Sequence, residues 1–338
     1  MPVTTVGIDL AKHVFHLYGE DAQGKAVLHK RLSRAALKPF LATLPPCRVG
    51  MEACGGAHYW AREFRQLGHE VRLINPKFVK PFVKSNKNDS RDAEALCEAV
   101  TRPTMRFVPI KTVAQQDIQA LHRVRSRLVG QRTALVNQIR GLLAEYGLIL
   151  PQQISHVRRG LPTLLEEADN GLTPWARELG RELYAELGQL DERIERLEGQ
   201  LQRVFRQQAE CQRLAQVEGI GLLTATALVA AVGDPTVFRN GREFAAGLGL
   251  VPRQHSSGGK TVLLGISKRG DRYLRTLLIH GARAVVCRAD TKSDPRSRWV
   301  AAVKRRRGLL KACVALANKN ARIAWALMAH AEPYRKAA

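Results

Sequence analysis

Between Leu183 and Val204, seven apolar residues (Leu183, Leu187, Leu190, Ile194, Leu197, Leu201 and Val204) recur at alternating steps of four and three. Such a series forms one stripe along a helix of roughly 33 Å. A stripe that long is stable only against a second apolar surface, so this chain must build a long helix and give it a partner. Upstream, Leu121, Leu128, Leu135 and Leu142 recur every seven residues, with Val124 and Ile139 between them. Residues 111–210 carry a net charge of only +1, with Glu and Arg interleaved, as suits an exposed helical pair. Two readings remain open: a coiled coil that spaces or joins protomers, and two helices of an ordinary bundle.

The first 110 residues follow a different period. Thr4–Leu10, Val14–Tyr18 and Ala26–Leu32 are short β-rich runs separated by turn residues, the pattern of a three-strand meander. Arg34–Leu44 has helical spacing and stops before Pro45-Pro46, Cys47–Glu52 is strand-like, Ala57–Leu67 is helical up to Gly68, Glu70–Ile74 is a strand, and Asp89–Val100 is a helix. This order matches an RNase H-like α/β domain. From residue 211 the pattern is a compact helical region with Gly-rich turns, ending in an Arg-rich helical tail from Arg298 to Arg322.

Charge narrows the function. Of the net +24, residues 1–110 carry +7, residues 211–250 are neutral and residues 251–338 carry +16. Self-repulsion on that scale calls for a polyanionic partner, met chiefly by the last quarter of the chain. A membrane span is not expected, because the longest uncharged run, Gly219 to Gly233, falls short of the roughly 20 residues a bilayer needs. Asp9 and Lys12 interrupt the only early apolar stretch, so no signal peptide is read. The six cysteines form neither a CxxC pair nor a Cys/His ligand spacing and read as reduced thiols of a cytoplasmic protein.

Four carboxylates stand out. Asp9 ends the first strand, Glu52 ends the fourth, and Asp89 and Asp92 lie three apart on one helix face. In an RNase H-like sheet those two strand ends are neighbours, and a helix can bring its carboxylates alongside. Such a cluster would repel itself unless hard cations neutralised it, and oxygen-only ligands select Mg²⁺ or Mn²⁺. Two such ions are the usual device of phosphodiester chemistry.

Further candidates line the C-terminal half. Gly219-Ile220-Gly221, between two helical patterns, would leave backbone N–H groups free at a helix N-terminus, a phosphate cradle or else a plain tight turn. Gly259-Lys260-Thr261 is not a P-loop, because position 254 is Gln where that motif needs Gly. What remains there is a serine pair, Ser256-Ser257, on a flexible glycine turn flanked by Arg253, His255 and Lys260. A serine attacks phosphorus only where cations hold the phosphate and a base accepts its proton. An everyday solvated loop has the same look. Lys268, Arg269, Arg272 and Arg275 recur along a turn and helix as phosphate contacts would.

Taken together, Gly7-Ile8-Asp9-Leu10-Ala11-Lys12, Met51-Glu52-Ala53-Cys54-Gly55-Gly56-Ala57-His58-Tyr59-Trp60, Asn88-Asp89-Ser90-Arg91-Asp92-Ala93, the Gly-Ile-Gly turn, Ser256-Ser257-Gly258-Gly259-Lys260 and Gly265-Ile266-Ser267-Lys268-Arg269-Gly270 resemble the DEDD transposases of bacterial insertion sequences, the IS110 family and within it the IS1111 group. The resemblance spans essentially the whole chain. It implies a RuvC-like domain over 1–110, a coiled-coil helical region over 111–210, and a mainly helical transposase domain with a helix-hairpin-helix over 211–338. It also implies Asp9, Glu52, Asp89 and Asp92 as the acidic quartet holding Mg²⁺ or Mn²⁺, and Ser257, directly before Gly258, as nucleophile. The expected activity is RNA-guided recombination, in which a structured guide RNA from the element pairs with donor and target DNA and a homo-oligomer (dimer or tetramer) rejoins strands through a serine–DNA intermediate. The alternatives are a RuvC-type metal-dependent junction endonuclease and a non-catalytic architectural binder.

Overall fold

The computed structural model describes residues 2–84 and 88–335. It divides into two compact units, Met1–Val113 with Val232–Val237, and Ala114–Ala231 with Phe238–Ala338.

In the first unit, β1 (Thr5–Asp9), β2 (Val14–Glu20) and β3 (Ala26–Ser33) form an antiparallel meander, followed by α1 (Arg34–Thr43), β4 (Arg48–Glu52), α2 (Ala57–Gln66), β5 (Glu70–Ile74), α3 (Pro76–Val79), α4 (Asp89–Val100) and β6 (Phe107–Val108). The sheet order is β3-β2-β1-β4-β5-β6, with β4 parallel to both β1 and β5, and β6 antiparallel to β5. The expected strand and helix order holds to within a residue or two at each end; α3 and β6 were not anticipated. One face of the sheet packs Phe15, Leu17, Val49 and Met51 against Leu37, Leu41, Trp60 and Phe64 of α1 and α2. The other carries α4.

What lets α4 lie there is the absence of two side chains. A Cβ added at Gly7 of β1 would stand 2.0 Å from the Ala93 carbonyl oxygen and 2.5 Å from the Cys97 nitrogen. One at Gly50 of β4 would stand 2.9 Å from Val100 Cβ. The helix therefore rests directly on the backbone of the two central strands.

The second unit is mainly helical: α5 (Val113–Ala144), α6 (Ile154–Glu166), α7 (Pro174–Gln207), α8 (Ala209–Ala215), α9 (Leu222–Val232), α10 (Gly241–Gly247), the hairpin β7 (Pro252–Ser257) and β8 (Lys260–Ile266), then α11 (Arg272–Cys287), α12 (Pro295–Arg307) and α13 (Leu309–His330). The ion pairs Arg125–Glu198 and Arg132–Asp191 fix α5 and α7 as antiparallel neighbours. Leu187, Leu190 and Ile194 of the heptad stripe are buried in one cluster with Leu128, Leu135, Ile139 and Leu143 of α5 and Val157, Leu161 and Leu165 of α6. The stripe thus finds its partner within its own chain, and these residues are not free to join protomers. The upstream leucine series drifts as a straight helix must: Leu128 and Leu135 are buried, but Leu142 is 40% exposed and Leu143 takes its place.

Candidate functional site

Asp9 and Glu52 end adjacent parallel strands, one step beyond the pair Ile8↔Met51. Asn88 caps α4 by accepting from the Ser90 N–H at 3.0 Å, which sets Asp89 and Asp92 in the first turn. With α4 seated on Gly7 and Gly50, that turn faces the end of β1. The electrostatics record the convergence. The Asp9 carboxyl is raised to about 6, chiefly by burial, then by the negative charges of Asp89, Asp92 and Glu52, while the His16 imidazole opposes the rise. The four carboxylates singled out in the sequence are therefore brought together at one end of the sheet.

The structure adds His16, which sequence reasoning missed. It pairs directly with Asp9 across the β1–β2 hairpin, and its Nδ1 stands 3.7 Å from Asp89 Oδ2. Asp9, His16 and Asp89 each present a donor atom, all within 4.8 Å of one another. The signal was the alternation of Val14, His16, Tyr18 and Glu20 on the half-exposed face of β2, which points them to the side of the sheet that α4 covers. Repelling carboxylates that converge beside an imidazole make a donor set fitted to a divalent cation.

Ser257 belongs to the second unit. It sits at the tip of the β7–β8 hairpin, paired with Lys260 across Gly258-Gly259, whose φ angles of 54° and 76° suit the two-residue turn that favours glycine at both positions. The segment is thus a paired ribbon rather than an irregular loop. The two serines point to opposite faces: Ser256 Oγ accepts from Gln254 Nε2 at 2.7 Å, whereas Ser257 shares a face with His255 and Lys260. Arg253, His255, Ser257 and Lys260 are all exposed.

The remaining basic residues divide. Lys268 and Arg269 are exposed on the turn after β8, and Arg272 is exposed in the first turn of α11. Arg275 is not a surface contact. It is 8% exposed, and its Nη1 donates to the carbonyls of Leu248 at 3.0 Å and Arg269 at 2.8 Å. Its charge is spent fastening the loop after α10 to the loop that carries Lys268 and Arg269, so the expectation that it meets phosphate is corrected. Gly219 is likewise committed to packing. Its carbonyl oxygen would lie 1.9 Å from a Cβ at Gly281, and the preceding Glu218 carbonyl accepts from Arg296 at 2.9 Å and Asn320 at 3.0 Å. Gly221 is exposed, with open space where a Cβ would stand.

A carboxylate cluster on a mixed sheet, in a chain with a strongly basic C-terminal quarter, has the donor set of a divalent-cation site and the charge of a protein that meets a polyanion. Residues 6–148 match the model of the IS110-type DEDD family, described as a transposase, and residues 211–298 match that described as the transposase IS116/IS110/IS902 family. The chain is 54% identical to a probable family 20 transposase of Pseudomonas aeruginosa, covering 99% of both chains. It is 50% identical to the transposase for insertion sequence element IS1111A of Coxiella burnetii, over 98% of this chain and 92% of that one. With the transposase for insertion sequence element IS1328 of Yersinia enterocolitica it shares 46% over 99% of each. The protein belongs to the IS110/IS116 family of DEDD transposases, and its activity is accordingly the cutting and rejoining of DNA. Among the described residues no helix is long and apolar enough to cross a membrane.

Proposed function

We propose that this transposase is an RNA-guided recombinase of the cytoplasm that inserts and excises its own element through a covalent serine–DNA intermediate. The observation that carries the metal-assisted part is the convergence of carboxylates: Asp9 and Glu52 lie at the ends of adjacent parallel strands, and Asp89 in the first turn of α4 presents an oxygen within 4.8 Å of one from Asp9. Asp9, Glu52, Asp89 and Asp92 would hold Mg²⁺, or Mn²⁺ in its place, in an RNase H-like domain, and such a cation would supply Lewis acidity toward a phosphate oxygen. Ser257 Oγ attacks the scissile phosphorus, His255 on the same hairpin face accepts the hydroxyl proton, and the P–O bond to the deoxyribose breaks, its oxygen leaving as a hydroxyl that takes its proton from water. Because the Oγ–P bond keeps the phosphodiester energy, rejoining needs no ATP. Arg253, Lys260, Lys268, Arg269 and Arg272, all exposed, neutralise phosphates, while exposed Gly221 and the first turn of α9 that follows it offer backbone N–H groups in a helix-hairpin-helix arrangement in which Gly219 serves only the packing.

Guidance is supported by charge without readout. Residues 251–338 carry +16, yet the sequence shows no base-reading pattern of the zinc-finger or homeodomain kind. Delegating sequence to a paired strand, a structured guide RNA that bridges donor and target DNA, fits that imbalance. The three-part organisation (1–110, 111–210 and 211–338) and a dimeric or tetrameric assembly complete the reading, with oligomer contacts elsewhere than on the filled heptad stripe.

The test is a labelled DNA substrate on a denaturing gel. Wild-type protein should carry DNA covalently, and purified protein should retain one discrete RNA whose removal stops recombination of the usual target. A second reading has its own support in the acidic cluster: a metal-dependent junction endonuclease, in which water is the nucleophile and Ser257 is incidental. Divalent-dependent cleavage with no protein–DNA adduct would establish that reading instead.

A further inference from the structure

The donors expected from the sequence were all oxygen; the folded site adds a nitrogen. His16 lies directly opposite Asp9 in the β1–β2 ladder, and directly opposed residues share a face. That face is the one under α4: Gly7, two residues before Asp9, touches Ala93, and Tyr18 and Glu20, two and four residues beyond His16, feel the charges of Glu94 and Glu98. His16 is thus aimed into the cluster from the edge opposite Glu52. Its Nδ1 is 3.7 Å from Asp89 Oδ2, and one donor atom each from Asp9, His16 and Asp89 lies within 4.8 Å of the others. Two donors about 2.1 Å from a shared ion stand about 3 Å apart when adjacent and about 4.2 Å when opposite, so these side chains need only a small adjustment to share one.

We propose that His16 is a ligand of the acidic site and biases it toward Mn²⁺ over Mg²⁺. The inference rests on the reading of the acidic cluster as a divalent-cation site and goes beyond it by naming a further donor and the ion that donor selects. Mg²⁺ is a hard ion that keeps oxygen ligands and several of its waters, and an imidazole in its shell is a poor exchange for a carboxylate. Mn²⁺ accepts the same carboxylates and a neutral nitrogen besides, and is softer and less tightly hydrated. A site built of two carboxylates and an imidazole around one position therefore discriminates by ligand type. The imidazole adds a donor without adding to the negative charges that meet in the apo protein, whereas a fifth carboxylate would add one.

The experiment is Mn²⁺ titration of the full-length protein by electron paramagnetic resonance, with Mg²⁺ as competitor, on the wild type, His16→Ala and His16→Asp. The bound Mn²⁺ of the wild type should show hyperfine coupling to a nitrogen, and both variants should lose it. Mn²⁺ affinity should fall about tenfold or more in His16→Ala, and His16→Asp should bind Mg²⁺ better relative to Mn²⁺ than the wild type does. Bound Mn²⁺ without nitrogen coupling in the wild type would overturn the assignment with no variant needed, as would a coupling that persists in His16→Ala. If the wild type binds no divalent cation at all, the metal reading of the acidic cluster falls, and this inference with it.

Discussion

The acidic end of the sheet and the serine hairpin are built on opposite principles. The carboxylates are held by packing: strand ends in mutual register, a helix pressed onto two glycines, and a half-buried Asp9. The hairpin has no buried residue from Pro252 to Gly265. Its footing is a few backbone bonds, Ser267 N–H to the Val251 carbonyl at 2.8 Å and Lys268 N–H to the Gly249 carbonyl at 3.2 Å, together with the Arg275 fastener. A two-stranded ribbon alone is marginal in water. The contrast teaches that one set of groups is held in place by the packing around it, while the other stands exposed on a ribbon with little packing of its own. Substitutions of the glycines beneath α4 should therefore act on folding, and substitutions at the exposed hairpin tip on chemistry with little effect on folding.

The sharpest break of that comparison is at the hairpin tip. Ser257→Ala should abolish the covalent DNA adduct entirely and leave the melting temperature unchanged, because its side chain is exposed. Ser256→Ala, on the opposite face, should retain the adduct. Labelled DNA still attached to the Ser257 variant on a denaturing gel would remove the serine from the chemistry.

The mirror experiment is Gly7→Ala. A methyl group 2.0 Å from a carbonyl oxygen of α4 must push the helix away, at a cost of about 3 kcal/mol or more. Denaturant unfolding should show that loss, and Asp89 and Asp92 should be displaced with the helix. Stability equal to wild type would mean that α4 does not rest on β1.

Between these extremes lies the heptad stripe. Leu190 is 5% exposed and packs against α5 and α6, so Leu190→Asn should cost about 1–3 kcal/mol by burying an unpaired amide. The mass measured by light scattering should stay that of the wild type, since the partner surface is intramolecular. Dissociation of an oligomer by this substitution would return the stripe to an interface between protomers.

What was legible in the sequence follows the same division. Local periods gave the strand and helix order of the first unit, and Asp89–Val100 was bounded correctly because Asn88 caps it and the apolar spacing of the helix is strong. The convergence of the four carboxylates was legible because strand ends and a helix face are local patterns. His16 was legible only in part: the alternation along β2 gives its face, but its place opposite Asp9 depends on the register of β2 against β1. Arg275 was misread because charge implies surface, and only the fold shows two loop carbonyls waiting for its guanidinium. The heptad stripe announced that it needed a partner but not which one; α5 and α6 answered through contacts such as Arg158–Asp191, 33 residues apart, and Arg125–Glu198, 73 residues apart. The hairpin was hidden because Val262, Leu263 and Leu264 lie in no alternating pattern and remain exposed.

The smallest effect is the most direct measure of how crowded the acidic site is. The Asp9 carboxyl titrates near 6 in the folded protein against 3.8 for its ordinary value. Between those values the native state holds a proton that the unfolded state has released, so apo-protein stability should fall as pH rises from about 4 to about 7, then level off. The contribution of this one group is about 1–3 kcal/mol, after allowance for its partial exposure. Asp9→Asn removes the titrating group, so that variant should lose this slope and, at pH 7 without metal, melt above the wild type. Adding Mn²⁺ should reverse the ranking, because the wild type gains binding free energy that the variant has given up. Melting curves at pH 5 and pH 7 decide it. A wild-type slope that survives in Asp9→Asn would place the strain on another group of the cluster.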